Sequence, residues 1–231
     1  MKRQFNYRKY FWKPRLTAED REKTRQYAQN EQRNRLEEQI GDYDQYLRRL
    51  QIRVEPVNPA AHMERLVQLV NKTNQFNLTT LRYSLEEMQK IVANSSKKVY
   101  LYRVEDCFGD YGIVSAAIVD LEGEAPLVEE WVLSCRVMGK QVEDALLGHM
   151  EAEVLAAGYT RLRGRYVPSA KNMPVAQLYD RLGSQLVSRD SHGEKEYCIR
   201  LEKSPSRAAH VAWIGEKGGQ QDVIRSAETG R

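Results

Sequence analysis

Cysteine is scarce in this chain of 231 residues. Its three cysteines, Cys107, Cys135 and Cys198, lie far apart and form no C-x-x-C pair, which excludes a zinc ribbon and a disulfide framework and predicts reduced, mostly buried thiols. The four histidines, His62, His149, His192 and His210, show no ligand spacing with one another or with acids, so no metal is expected. Long apolar runs are missing as well: "GIVSAAIV" is far too short to cross a bilayer. The N-terminal "MKRQFNYRKYFWKP" is basic but lacks the continuous apolar segment of a secretory signal. A cytoplasmic chain with no membrane partner is the expectation.

What is present describes an ordinary globular protein, with 41% hydrophobic and 29% charged residues. At roughly 100 to 200 residues per domain, the length allows one large domain or one domain with extensions. The net charge of +4 is unevenly placed. Of 36 Lys and Arg and 32 Asp and Glu, residues 1–56 hold 14 and 9, so 22 basic face 23 acidic residues in the remainder. A basic arm suits nucleic acid or anionic lipid, yet acids are mixed into the helix after Thr17, which suits a solvated helix face. Aromatic and basic residues interleave only in the first fifteen positions, so nucleic acid is the least expected partner.

From Thr17, "TAEDREKTRQYAQNEQRNRLEEQ" predicts a long helix with Thr17 as N-cap and Asp20 in a capping-box position. Its few apolar residues leave it little to bury. "DYDQYLRRLQ" predicts a short amphipathic helix, and "IRVEPV" a strand ended by prolines. Met63, Leu66, Val67 and Val70 repeat at i, i+3, i+4, i+7, one buried helix face; Ser84 and Glu87 open another helix. Three strand-like runs, "KKVYLYRVED", "YGIVSAAIVDLE" and "PLVEEWVLSCRV", suit an antiparallel meander. A helix closed by Gly158, the strand "YTRLRGRYV", a helix "MPVAQLYDRLG" closed by Gly183, and the strands "SQLVS" and "KEYCIRLE" complete an α+β pattern of a mixed central sheet flanked by helices. The expected organisation is a helical extension over 1–51, a domain over 52–203, and a loose tail over 204–231 in which "VAWIG" is the only sticky segment.

The chemistry concentrates in "EEWVLSCRVMGKQVEDALL". A strand that ends at Arg136 and turns through Gly139 into a helix near Lys140 aims backbone N–H groups at one point, with the helix dipole favouring an anion. Arg136, Val137, Gly139, Lys140 and Gln141 are therefore the candidate phosphate or pyrophosphate cradle; a tight turn is the plainer alternative. The order of elements from about residue 52 to 201, together with "RVMGKQ", resembles the GNAT acyltransferase fold, whose cofactor-binding turn reads Q/R-x-x-G-x-G/A. Arg136 and Gly139 match, and Gln141 departs. "KNMPVAQLYDRLG" resembles that family's Asn-then-Tyr helix, which implies that Tyr179 protonates a departing thiolate and Asn172 holds the cofactor arm, the cofactor being coenzyme A or a phosphopantetheine thioester.

A narrower likeness rests on "QLVNKTNQFNLTTLRY", "CFGDYG", "WVLSCRVMGKQVE" and "YVPSAKN", which together look like the C-terminal region of FkbH-like proteins, participants in polyketide and related biosynthesis. In that family a haloacid-dehalogenase-type domain precedes this region and loads a glyceryl unit from a glycolytic phosphate ester onto an acyl carrier protein. "FWKPRLTAEDREKTRQY" resembles the tail of that domain, so residues 1–51 read as its stub. The nucleophile motif, an Asp-x-Asp at a strand end, is absent, and phosphatase chemistry by that route is not expected. The implied partners are an acyl carrier protein and a separate haloacid-dehalogenase-type enzyme.

For acyl transfer, a base belongs on the strand before the cradle, where Glu129 and Glu130 alternate between faces, so at most one serves; either also suits a solvated edge. Tyr179 shares its helix with Val175, Leu178 and Leu182, which also suits a core tyrosine. The polar run Asn71, Thr73, Asn74, Gln75, Asn77, Thr79 and Thr80 exceeds what one helix cap needs, marking Asn74, Gln75, Asn77 and Thr79 as candidate substrate-binding residues. Cys135, in an apolar strand, reads as buried and inert. Arg161, Arg163 and Arg165 share one strand face and suit either an acidic carrier protein or a guarded sheet edge. Two functions follow: an acyltransferase-like domain acting on a coenzyme A or carrier thioester, or a non-catalytic docking module.

Overall fold

The computed structural model describes residues 18–201 and 207–215, with side chains from residue 24 onward. The basic first fifteen residues, the Thr17 cap and the Asp20 side chain lie outside the described residues. The chain divides into two units, Met1–Tyr46 and Leu47–Arg231. The first carries α1 (Ala18–Ile40), a polar helix whose described residues are mostly exposed, braced by an i,i+4 Glu31–Arg35 pair. Helix α2 (Tyr43–Leu50) begins at its end, and Asp42 accepts the Gln45 N–H at 2.8 Å. The one Asp-x-Asp pair in the chain, Asp42 and Asp44, thus serves a helix start.

In the second unit the elements run β1 (Arg53–Pro56), α3 (Met63–Lys72), α4 (Leu85–Ala93), β2 (Lys97–Asp106), β3 (Gly109–Asp120), β4 (Leu127–Leu133), α5 (Val142–Ala156), β5 (Arg161–Tyr166), α6 (Leu178–Arg181), β6 (Gln185–Arg189), β7 (Lys195–Arg200) and β8 (Ala212–Trp213). One sheet holds all the strands in the order β6-β7-β5-β4-β3-β2-β1-β8. Its pairs are antiparallel except β4 with β5 and β1 with β8.

Strand alternation explains the layers. Leu101 of β2 packs with Leu66, Leu69, Val70 and Met88 of α3 and α4, while its neighbours Tyr100 and Tyr102 meet His149 of α5 on the other face. Helix α4 begins at the expected capping box, with Ser84 Oγ accepting the Glu87 N–H at 3.2 Å and Glu87 Oε2 accepting the Ser84 N–H at 2.7 Å.

Three expectations change. The run 173–183 is not one helix: Met173–Val175 forms a 3₁₀ turn containing Pro174, and Gln177, at φ −114°, breaks the backbone before α6. Strand β4 stops at Leu133, and residues 134–141 form a turn before α5. Within the expected tail, residues 207–215 return to the sheet. Arg207 grips Glu151 with two bonds of 2.7 Å, and Trp213 of β8 stacks on His149 with centroids 4.6 Å apart. Burial of Val211 and stacking of the half-buried Trp213 ring fix a segment whose flanking composition is polar.

Gly164 in β5 lies under the Tyr179 ring, where a side-chain methyl would stand 2.6 Å from Cε1 and 2.8 Å from Cε2. Gly164→Ala is therefore expected to cost about 1–3 kcal/mol by overpacking, measured as a lower urea midpoint at unchanged slope.

Candidate functional site

Strands β4 and β5 run parallel but pair only at Leu127–Arg163 and Val128–Gly164. Beyond that they diverge, and diverging strands leave backbone donors and acceptors that must find partners if they are buried. The loop between α3 and α4 supplies them. Asn77 bridges to Val132; Leu78 N–H donates to Trp131 O at 3.2 Å, Leu133 N–H to Phe76 O at 3.0 Å, and Val167 N–H to Leu78 O at 2.8 Å. Residues 76–78 thus act as a short strand wedged between β4 and the end of β5. Phe76 meets Trp131 edge-on at 5.4 Å.

Side chains lock the wedge. Asn172, fully buried, donates to Asn77 O at 2.8 Å and Val167 O at 2.9 Å, and accepts from Ser169 N–H at 2.7 Å and the Tyr166 hydroxyl at 3.2 Å. Its amide has no capacity left for a ligand. Asn77 donates to Thr73 O at 3.2 Å and accepts from Thr80 N–H at 2.5 Å. The Thr79 hydroxyl donates to Glu129 O at 2.8 Å. Glu130, only 1% exposed, accepts the N–H groups of Leu81 at 3.0 Å and Trp131 at 2.9 Å. Burial pushes its carboxyl up to about 7, against the opposing pull of the Thr79 hydroxyl and those two N–H groups.

The turn after β4 has the backbone of a cradle and the charge of something else. Gly139 adopts φ +73°, a conformation that favours glycine, and Gln141 sits at φ +56° as the N-cap of α5. Arg136 Nε reaches Ser134 Oγ at 3.4 Å, Val137 is buried, and Lys140 O meets His210 Nε2 at 3.3 Å. The first turn of α5 carries Glu143 and Asp144, both bound by Arg181 at 3.0 Å. These carboxylates already answer the positive end of the helix dipole and would repel a phosphate there.

An open cavity of about 820 Å³ lies at the end of β4, between the last turns of α3 and the loop after β5. Arg65, Lys72, Lys171, Gln75, Ser134 and Cys135 are among its walls, and among the described residues no Asp or Glu lines it. The Arg65 guanidinium donates to Ile113 O through Nη2 at 2.7 Å and Nε at 3.2 Å, and to Gln68 Oε1 at 2.6 Å. Burial and, secondarily, the Arg136 charge lower its pKa.

Solved structures reproduce this architecture. A domain from Methanocaldococcus jannaschii superposes with a TM-score of 0.51 at 15% identity, covering 65% of this chain and 98% of that one. A GNAT-family protein from Desulfovibrio desulfuricans does so with a TM-score of 0.50 at 12% identity, covering 65% and 99%. The fold is the GNAT fold. No protein-family model matches the sequence, and no curated protein is detectably similar to it.

Against that GNAT frame the expected site residues separate. Glu129 is half-buried and bound to Lys97 at 2.7 Å, whereas Glu130 is buried, so the two part to opposite faces as strand alternation requires. The Tyr179 hydroxyl is buried without a hydrogen-bond partner, its ring against Tyr197 at 5.1 Å, and burial raises its pKa. In this structure it is a core residue. Asn77, Thr79 and Asn172 are internal struts, whereas Asn74 and Gln75 line the cavity. Cys135, expected buried, is exposed in that cavity because β4 ends two residues before it, and Cys107 is exposed in the turn between β2 and β3. Arg65, Lys72 and Lys171 went unnoticed as a group. Arg65, Gln68, Leu69 and Lys72 follow i, i+3, i+4, i+7, a second stripe on α3 that the apolar period concealed.

No helix among the described residues is long and apolar enough to cross a membrane, and no group of His, Cys, Asp and Glu among them could hold a metal ion.

Two outcomes check the buried pair. Tyr179→Phe deletes only an unsatisfied hydroxyl and is expected to leave stability unchanged or raise it by up to about 1 kcal/mol. Glu130 has a folded pKa above its unfolded value, so the stability of its neutral form is complete below 4.5 and is lost as pH rises through about 7. Thermal melts across that window should show a loss on the order of 3 kcal/mol that Glu130→Gln does not share.

Proposed function

We propose that this chain is the GNAT-fold part of an FkbH-like system and serves as a docking module for an acyl carrier protein in polyketide or related biosynthesis, without transferring acyl groups from coenzyme A. The observation that carries this reading is the wedge of residues 76–78. An amide-bearing pantetheine arm would bind between diverging strands by adding its own hydrogen bonds to their free edges, much as a peptide adds to a sheet. Here those edges are already paired. Glu143 and Asp144 at the start of α5 act in the same direction against a pyrophosphate.

The sequence likeness supports the family assignment in a specific way. Three of the stretches that carry it, "NKTNQFNLTT", "WVLSCRV" and "YVPSAKN", meet at the wedge, through Phe76 to Thr79, Trp131 to Leu133, and Val167 to Asn172. They are parts of one structural unit.

Carrier docking is supported by the outer face of β5 and β7. Arg161 stands directly across from Arg200, both exposed, with exposed Arg163 beside them. Like charges opposed across a sheet are unfavourable until an acidic partner covers them. Arg165, ion-paired to Glu194, contributes less.

A second reading, acyl transfer with Glu130 as base, is favoured by one fact: a carboxyl near 7 matches general-base work at neutral pH. It requires residues 76–81 to leave their places.

Titration separates the two. The docking reading predicts no saturable heat with coenzyme A or acetyl-coenzyme A, binding of a phosphopantetheinylated carrier protein, and loss of at least about tenfold in its affinity in the Arg161, Arg163, Arg200 triple alanine variant. Micromolar binding of free coenzyme A, or a carrier affinity unmoved by the triple variant, contradicts it.

A further inference from the structure

The cavity at the end of β4 is unusual in this chain for what it lacks. At several other places in the unit, cations find carboxylates: Lys97 bridges Asp120 and Glu129, Lys98 meets Glu153, Arg103 meets Asp110, and Arg207 meets Glu151. Around the cavity, Arg65, Lys72 and Lys171 have no carboxylate within ion-pair reach among the described residues, in a protein with 32 acids to spare.

Structural duties do not exhaust these cations. The C-terminus of α3 is already answered by Arg82, which donates to Val70 O at 2.8 Å and Thr73 O at 3.1 Å, so Lys72 is not needed to cap it. Arg65 has five N–H donors. Three of them are spent on Ile113 O and Gln68 Oε1, which also fix the guanidinium plane, and all of those acceptors are neutral. Two N–H donors and the full charge remain. The Arg136 charge adds to the positive field at Arg65, a repulsion that a bound anion would relieve. Uncharged groups complete the walls: the Thr73 and Ser134 hydroxyls and the Asn74 and Gln75 amides. The volume, about 820 Å³, is that of a small-ligand site.

We infer that this cavity binds a phosphate monoester of a small polar compound, its phosphate held by Arg65, Lys72 and Lys171 and its hydroxyl or amide groups by the Asn74 and Gln75 side. A fixed, planar guanidinium with two compact ammonium groups suits a dianion better than a single carboxylate. The site is separate from the β5 and β7 face and stands whether or not a carrier protein docks there.

The full chain would be titrated with ribose 5-phosphate, ribose, inorganic phosphate and pantetheine 4′-phosphate, while alkylation of Cys135 and Cys107 is followed by peptide mass spectrometry. Cys135 lines the cavity and Cys107 is exposed elsewhere, so the second thiol is an internal control. The expected result is saturable binding of the phosphate esters, competition by inorganic phosphate, no binding of ribose, and slower alkylation of Cys135 alone. The double variant Lys72→Glu with Lys171→Glu changes two exposed side chains, keeps the melting temperature, and weakens binding at least about tenfold. Preference for pantetheine 4′-phosphate assigns the anion to a carrier-borne arm, and preference for ribose 5-phosphate to a free metabolite; both uphold the site. Equal binding of ribose, absence of binding by every phosphate, or affinity unchanged in the double variant overturns it. Failure of carrier docking in its own titration leaves all of these outcomes as they are.

Discussion

Two parallel strands that part company inside a protein create a demand that cannot be deferred: the N–H and C=O groups along the opening must be paired or wetted. In this chain the opening between β4 and β5 is closed from within, by backbone bonds to residues 76–78. Much of the neighbourhood follows from that closure. Asn172 spends its whole amide on it, Thr79 and Glu130 anchor the chain that leaves it, and the Tyr179 ring is sealed against Gly164 behind it. A carboxyl buried to serve as an anchor has its pKa raised, so an elevated value here has a structural cause as well as a possible chemical use.

Closure also redistributes charge. At the start of α5, where the GNAT fold offers backbone N–H groups and a positive dipole, this chain places Glu143 and Asp144 and neutralises them with Arg181. Positive charge without partners lies instead at the cavity beyond β4 and on the outer face of β5 and β7. The surfaces that favour anions thus lie away from the start of α5, while the core keeps the GNAT fold.

The fold was largely legible in the sequence because its signals are local and periodic. The α3 face, the Ser84–Glu87 box and the three-strand meander need only period and turn chemistry. The break at Gln177 and the end of β4 at Leu133 were not legible, since both depend on what packs against them. Strand β8 was hidden because two residues carry it, and Trp213 gains its place only through His149 of α5. The candidate site divided along the same line. "NKTNQFNLTT" holds more amides and hydroxyls than one cap needs, but whether an amide serves a ligand or the backbone is settled by tertiary neighbours: Asn77 turns inward, Asn74 and Gln75 outward. The three cations of the cavity come from segments about a hundred residues apart in sequence, and no spacing rule joins Arg65 to Lys171.

The central claim is that the β4–β5 opening is shut by the chain's own backbone, and amide hydrogen exchange reads that most directly. The N–H groups of Leu78, Leu133 and Val167 close it. The account predicts that these three exchange as slowly as core amides of β3, and that saturating coenzyme A leaves their rates unchanged. Fast exchange at Leu78 and Val167, or a change in their protection when coenzyme A is added, would mean that the wedge opens to admit a ligand and would contradict the account.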